Sequence, residues 1–197
     1  MRNLLFILIA FGVCINSFSQ SEKSFGFRGG VNMSNLTNAN LDTKTSGYFG
    51  FFAHFKFSEL YALQPEIGYS NQGGRTRNSI DDDIVIHYIS LSATNKFFVK
   101  DSGFHFLIAP GIDFDVDDTL IGLSNRDEGN DVTFIDFTFG VGLGYEFKNG
   151  LGFEARYKQG LVDVFSGSWH DFEFELYEDE IEFNSVFQFG LFYKFNF

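Results

Sequence analysis

Between Ile135 and Phe147 every second residue is large and apolar: Ile135, Phe137, Phe139, Val141, Leu143, Tyr145 and Phe147. The residues between them are Asp136, Thr138, Gly140, Gly142, Gly144 and Glu146. A strand sends successive side chains to opposite faces, so this stretch reads as a strand with one bulky apolar face and one small or polar face. A helix, with its period of 3.6 residues, would mix the two sets around its circumference. The pattern returns at the C-terminal end, where Phe187, Phe189, Leu191, Tyr193, Phe195 and Phe197 alternate with Gln188, Gly190, Lys194 and Asn196. Phe192 is the exception on that polar face. No helical stripe stands out elsewhere.

The same reading along the chain predicts eight strands, near 24–36, 46–58, 61–72, 84–98, 103–116, 132–147, 151–164 and 181–197. Their connections alternate in length. Short links fall at Ser58-Glu59-Leu60, Val99–Ser102 and Lys148-Asn149-Gly150, and long ones at 37–45, 73–83, 117–131 and 165–180. Asn149-Gly150 is a tight-hairpin signal, because both residues tolerate positive φ. Short turns at one end and long loops at the other, on an even number of strands, is the plan of an outer-membrane barrel. The expected fold is therefore an all-β, eight-stranded antiparallel transmembrane β-barrel with short periplasmic turns and long extracellular loops.

Met1–Ser19 reads as a secretory signal peptide, leaving 20–197 as the barrel domain. Arg2 precedes the apolar run Leu4–Ile15, and Ser17-Phe18-Ser19 offers small residues for cleavage. That run is shorter than the roughly 20 residues of a membrane helix. Cys14, the single cysteine, falls inside it, so no disulfide framework or multi-cysteine metal site is expected.

The two faces then decide the compartment. Twenty-nine Phe, eight Tyr and one Trp in 197 residues exclude disorder and exceed what an eight-stranded interior can hold. The bulky face is therefore expected in lipid, and the small and charged face in the lumen. Arg28, Lys56, Glu66, Lys96, Asp136, Glu146, Glu154, Arg156 and Lys158 are the candidate luminal charges. They are expected to pair with one another, since a lone buried charge is costly, and so to plug the barrel rather than conduct. Tyr48, Tyr61, Tyr69 and Tyr145 suit an interfacial girdle. Pro65 and Pro110 fall inside predicted strands, where a barrel offers no free edge, and call for a bulge, a strand end or a local ladder break.

The C-terminal strand carries the most specific motif. Gln188, Gly190, Tyr193, Phe195 and the last aromatic, Phe197, are spaced like the assembly signal by which outer-membrane proteins engage the barrel-assembly machinery. Three further segments carry a family likeness. They are Gly26–Leu36, Leu63–Ser70, and the hairpin from Gly144 through Asn149-Gly150 to Tyr157. Together they resemble the small outer-membrane barrels of the PorT family, common in Bacteroidota-type bacteria. The resemblance spans nearly the whole mature chain and implies fold and cell outer-membrane location. That family's named member is associated with protein secretion, and no residue here matches one that would carry that role.

Charge is polarised along the barrel. The long loops, taken generously, hold 18 of the 26 acids and only four bases, Lys44, Arg75, Arg77 and Arg126. With 14 Lys and Arg against 26 Asp and Glu, the chain lacks the basic footprint of a nucleic-acid binder. Asp113, Asp115, Asp117 and Asp118 are weak candidates for a divalent cation, which could also bridge the loops to lipopolysaccharide. No twelve-residue calcium loop is present. His54, His87, His105 and His170 are scattered, without metal spacing. Ser168, His170 and Asp171 are sequence neighbours with no oxyanion-hole signal, so no catalytic residue is assigned and no cofactor is expected. Phe172, Phe174 and Leu176 alternate with Glu173 and Glu175, consistent with a longer barrel wall.

The reading is a non-enzymatic, monomeric outer-membrane barrel, in contact with lipid, acting in membrane integrity or in surface interaction through acidic loops. Its rivals are a soluble periplasmic barrel for an apolar ligand, a lipid-modifying outer-membrane enzyme, and a component of a secretion or assembly complex.

Overall fold

The computed structural model describes residues 22–39, 41–76, 83–116, 132–165 and 181–195. Met1–Ser19, the segment read as a leader, lies outside the described residues, as does most of the three longer loops. Eight strands form a single closed antiparallel barrel in chain order. They are β1 (Glu22–Leu36), β2 (Asp42–Lys56), β3 (Tyr61–Arg75), β4 (Ile84–Phe98), β5 (Phe104–Asp115), β6 (Ile135–Glu146), β7 (Leu151–Gly160) and β8 (Asn184–Phe195). β1 pairs with β8, so neither is an edge. The expected architecture is the observed one, with β2 starting four residues earlier than its pattern suggested. A register shift between Thr43 and Tyr48 adds this segment to the wall as an irregular extension.

Closure imposes a stagger. Successive partners lead from Lys23 through Phe55, Leu63, Asn95, Ile108, Val141, Tyr157 and Phe187 to Met33, back on β1 but ten residues further along. Such a shear tilts the strands by roughly 35–45° from the barrel axis. It also brings luminal residues far apart in sequence to one height. At the short-turn end, Gly150 adopts φ 84° and donates its N–H to Phe147 O. Of the Asn149-Gly150 pair, Gly150 alone takes the positive φ expected of both, so the turn places only its glycine in the left-handed region.

Outside, the wall is aromatic and aliphatic: Phe25, Phe51, Ile67, Phe106, Phe137, Phe189 and Leu191 are all exposed. Rings touch across strands, as Phe27 does with Phe49, Tyr193 and Phe195. Towards the long-loop end this face turns polar. Tyr69 Oη meets His87 Nδ1 at 2.5 Å, and Tyr157 Oη donates to Gln159 at 2.5 Å. Tyr61, Tyr69 and Tyr145 do point outward, but Tyr48 does not. It is 8% exposed inside the lumen, beneath the Arg28 guanidinium at 4.7 Å. The parity of β2, rather than the interfacial habit of tyrosine, decides its side.

Both prolines sit at ladder breaks. Pro65 pairs with Ala93 on β4, but its β2 side is interrupted between Phe52↔Glu66 and Phe55↔Leu63. There His54 and Gln64 join side chain to side chain at 3.1 Å. Pro110 pairs with Phe139 on β6, while the β4–β5 ladder skips from Ser92↔Gly111 to Asn95↔Ile108. The carbonyl of Ala93, opposite Pro110, instead accepts the Asn95 side-chain amide at 2.9 Å. Tyr61 Oη donates to Asn95 Oδ1 at 2.9 Å and holds that amide in place. A polar residue on the apolar wall thus replaces the donor that proline lacks.

Candidate functional site

The inward faces of eight tilted strands deliver charged and small residues to one narrow axis. At mid-height Arg156 of β7 donates from both terminal nitrogens to Glu66 of β3, each at 2.9 Å. The same guanidinium holds Glu154 through Nε at 2.9 Å and Nη2 at 2.5 Å. Arg28 of β1 reaches Glu66 at 2.8 Å, and Lys96 of β4 reaches Glu154 at 2.6 Å. His105 Nε2 of β5 meets Glu154 at 3.2 Å. Five strands are therefore tied by one connected cluster, its side chains almost wholly buried. Fork-on-carboxylate geometry fixes direction as well as charge, which makes the arrangement specific to these residues.

Below this layer, towards the short turns, the filling becomes aromatic. Phe52 and Phe192 both face inward, and the Lys96 ammonium lies 4.3 Å from the Phe192 ring centroid. Phe192 broke the alternation of polar residues because its ring is a partner for this cation. Glycines make the room: a Cβ on Gly152 would fall 2.1 Å from Phe192 Cζ, and one on Gly26 would fall 2.3 Å from Phe52 Cζ. Phe98 packs on His105, with Lys56 5.5 Å from its ring centroid. Lys194 and Glu146 form an ion pair at the same end.

Above it, Lys158 pairs with Asp113 at 2.5 Å, and Gln72 donates to the same carboxylate at 3.1 Å. Asn184 donates to Gln72 at 2.6 Å. Asp136 accepts the backbone N–H groups of Leu161 and Val162, both at 3.0 Å, and so anchors the exit of β7. The mouth then closes over an apolar cluster of Leu36, Ile86, Tyr88, Val132 and Val164. An aromatic floor, an ionic middle and an apolar cap follow one another along the axis.

Of the nine luminal charges read from the sequence, Arg28, Glu66, Lys96, Glu154 and Arg156 meet in one cluster. Glu146 and Lys158 pair elsewhere in the lumen, Lys56 lies over an aromatic ring, and Asp136 binds backbone. The sequence reading missed Lys194, His105 and Asp113 as luminal partners. Strand parity alone would have found them, Asp113 through its place in the inward series of His105, Leu107 and Ala109. The Asp113 carboxylate, a candidate cation ligand with Asp115, is thus already engaged by Lys158; Asp117 and Asp118 lie outside the described residues. Among the described residues, no three His, Cys, Asp or Glu side chains converge as metal ligands. His170, Ser168 and the 172–176 alternation also lie outside them.

The C-terminal motif divides between the two faces. Gln188 is luminal, donating to Asn32 at 2.9 Å and accepting from Arg28 at 3.4 Å. Gly190 faces Gly30 across the β1–β8 seam, where a Cβ would fall 2.1 Å from the Tyr48 hydroxyl. Tyr193 and Phe195 lie outside, their rings tilted against that of Phe27. Phe197 lies outside the described residues.

One luminal cavity, of about 50 Å³, is lined by Arg28, Glu66, Ser90, Ser92, Arg156 and Lys158, among others. At about 10–15 Å³ each it has room for a few waters, far short of the roughly 300 Å³ of a drug-sized ligand site.

A family model described as "Outer membrane protein beta-barrel domain" matches residues 5–195. Among the solved structures that share the fold are the following two. Neisserial surface protein A is 14% identical with a TM-score of 0.53, covering 89% of this chain and 98% of that one. The Yersinia pestis outer membrane protein Ail, in a phospholipid bilayer nanodisc, is 15% identical with a TM-score of 0.52, covering 88% and 100%. At such identities the likeness speaks for architecture alone. No curated protein matches the sequence.

Proposed function

From the premise that this chain belongs to the outer membrane protein beta-barrel domain family, we propose that it is a small, non-conducting, non-enzymatic outer-membrane protein acting through its surfaces. The observation that carries this reading is the filled lumen. Among the described residues, interlocked side chains occupy the axis from Lys194–Glu146 to the Leu36–Val164 cap, around a cavity of about 50 Å³ with room for a few waters. What remains for function is the lipid-facing wall, which secures the bilayer, and the acidic loops, which would meet the exterior. Divalent cations would bridge those loops to anionic lipopolysaccharide.

The segments Gly26–Leu36, Leu63–Ser70 and Gly144–Tyr157 support placing the chain with the PorT-like barrels. On this reading a cleaved leader ends at Ser19, and the mature protein is a monomer delivered by the barrel-assembly machinery through its C-terminal strand.

The test is twofold. The protein should fractionate with outer membranes and migrate differently on gels before and after heating, and recovery in the soluble periplasm would refute the reading. In planar bilayers the purified barrel should give no steady ohmic conductance; a regular open channel would refute the plugged lumen. Co-purification of a stoichiometric partner from mild detergent would favour the secretion-complex alternative.

A further inference from the structure

The outer wall does not end at one height. Because the ten-residue stagger is shared over eight strands, a level ring drops about one and a quarter residues from each register partner to the next strand. The ring through Asn35 passes Thr45, Asn71 and His87 on β2–β4, then Phe114 and Ile135 on β5 and β6 and Leu161 at the exit of β7. It lies ten residues above Phe25, roughly 25 Å along the axis, which is the upper limit of an outer-membrane apolar band. One level is therefore polar on β1–β4 and apolar on β5–β7, where Ile135 and Leu161 are exposed. A step lower, β2 offers Gly47 and β3 offers Tyr69, whose hydroxyl meets His87. The last bulky, wholly apolar groups on those two strands are thus Phe49 and Ile67. At the short-turn end the ring is apolar on every side, with Phe25, Phe55, Phe97, Phe104, Tyr145 and Leu151 among its members.

We infer that this barrel holds the outer leaflet at two heights, thinning the bilayer along β1–β4 by at least about 5 Å relative to β5–β7, one pair of residues on a tilted strand. The inference rests on the outer-membrane reading and adds to it a surface that fits lipid with a short apolar span. Hydrogen bonding separates the two sides. Asn35 and Asn71 each keep a side-chain oxygen with no hydrogen-bond partner among the described residues. Both side chains are half-buried and can turn outward. In hydrocarbon such an oxygen is costly, whereas headgroups and their water supply the missing donor. Gln159, the polar exception on β7, is instead complete. Its amide donates to the Gly160 and Asn184 carbonyls, and its oxygen accepts from Tyr157 and Ser185. It can remain in the apolar layer without water. A rigid tilt of the axis would slope both borders, but the lower border is uniform around the barrel.

The test places single cysteines in the chain 20–197, which has none of its own, and labels each with a nitrobenzoxadiazole fluorophore in phosphatidylcholine vesicles. Lipids brominated near the headgroup or deep in the acyl chain report the depth of each probe. Probes at Thr45 and Asn71 should be quenched from the headgroup end or not at all. Those at Ile135 and Leu161 should be quenched from the acyl chains, a depth difference of at least about 5 Å. Probes at Phe25 and Phe104 should lie equally deep. Equal depths at the four upper sites would overturn the thinning, as would unequal depths at the lower two, the mark of a rigid tilt. Ile135 and Leu161 beyond the reach of both lipids would overturn it too. Phe51 and Phe139 are the reference: without deep quenching there the membrane reading itself fails, an outcome distinct from a level border. Asn35→Leu with Asn71→Leu should draw the Thr45 probe deeper, and an unmoved probe would overturn the part given to those amides.

Discussion

The two faces of the wall are built from the same strands, one residue apart, yet they obey opposite rules. On the outer face Phe49, Ile67, Val141, Phe187 and Leu191 are interchangeable in kind, because lipid asks only for apolar area. On the inner face each residue answers to a named partner: Glu66 to two arginines, Glu154 to Arg156 and Lys96, and Asp113 to Lys158. Outward positions thus specify a place, whereas inward positions specify one another. Substitutions should expose this difference.

The largest loss is expected at the centre of the lumen. Glu66→Gln leaves Arg28 and Arg156 facing each other without their shared carboxylate, and should cost about 3–5 kcal/mol of unfolding free energy in urea titrations from lipid vesicles. A loss below 1 kcal/mol would mean that the cluster is not coupled. Next comes a charge in the wrong place: Val141→Arg, on the lipid face, should cost about 2–4 kcal/mol in the same assay, although arginine is well housed one strand away at Arg156.

Asn95 gives a sharper, intermediate case, because it is polar on the apolar face. Asn95→Leu would ordinarily help a lipid-facing site, but here it should destabilise by about 1–3 kcal/mol by orphaning the Ala93 carbonyl. In a Pro110→Ala background the ladder regains its N–H, and the same change should become neutral. Additive effects in that double-mutant cycle would break the account of the proline. The smallest effect belongs to ordinary wall positions. Phe51→Leu keeps an apolar group in lipid and should alter stability by no more than about 0.5 kcal/mol in the same titrations.

Most of the wall was legible in the sequence, because period two states which face a residue takes wherever the strand is regular. Tyr48 shows the limit of residue habit: its even position placed it with Gly50 and Phe52 inside, and its aromatic nature suggested the interface. Phe192 shows the converse, an apolar residue on the polar face whose reason appears only with Lys96 beside it. Partner identity could not be read locally, since Glu66 meets Arg156 only through the ten-residue stagger accumulated around the barrel. The prolines marked a break in advance, but not which neighbouring strand would lose its donor or that Asn95 would replace it. The acids at 117–131 and 166–180 stay a matter of composition and charge.

The opposition of the two faces is tested most directly by a nitroxide scan along β4 in lipid vesicles, from Ile89 to Phe97, comparing accessibility to oxygen and to a polar nickel reagent. The wall positions 89, 91, 93 and 97 should be rich in oxygen and closed to nickel, with 90, 92 and 94 shielded from both. Oxygen access at the even positions, or a profile without alternation, would contradict the account.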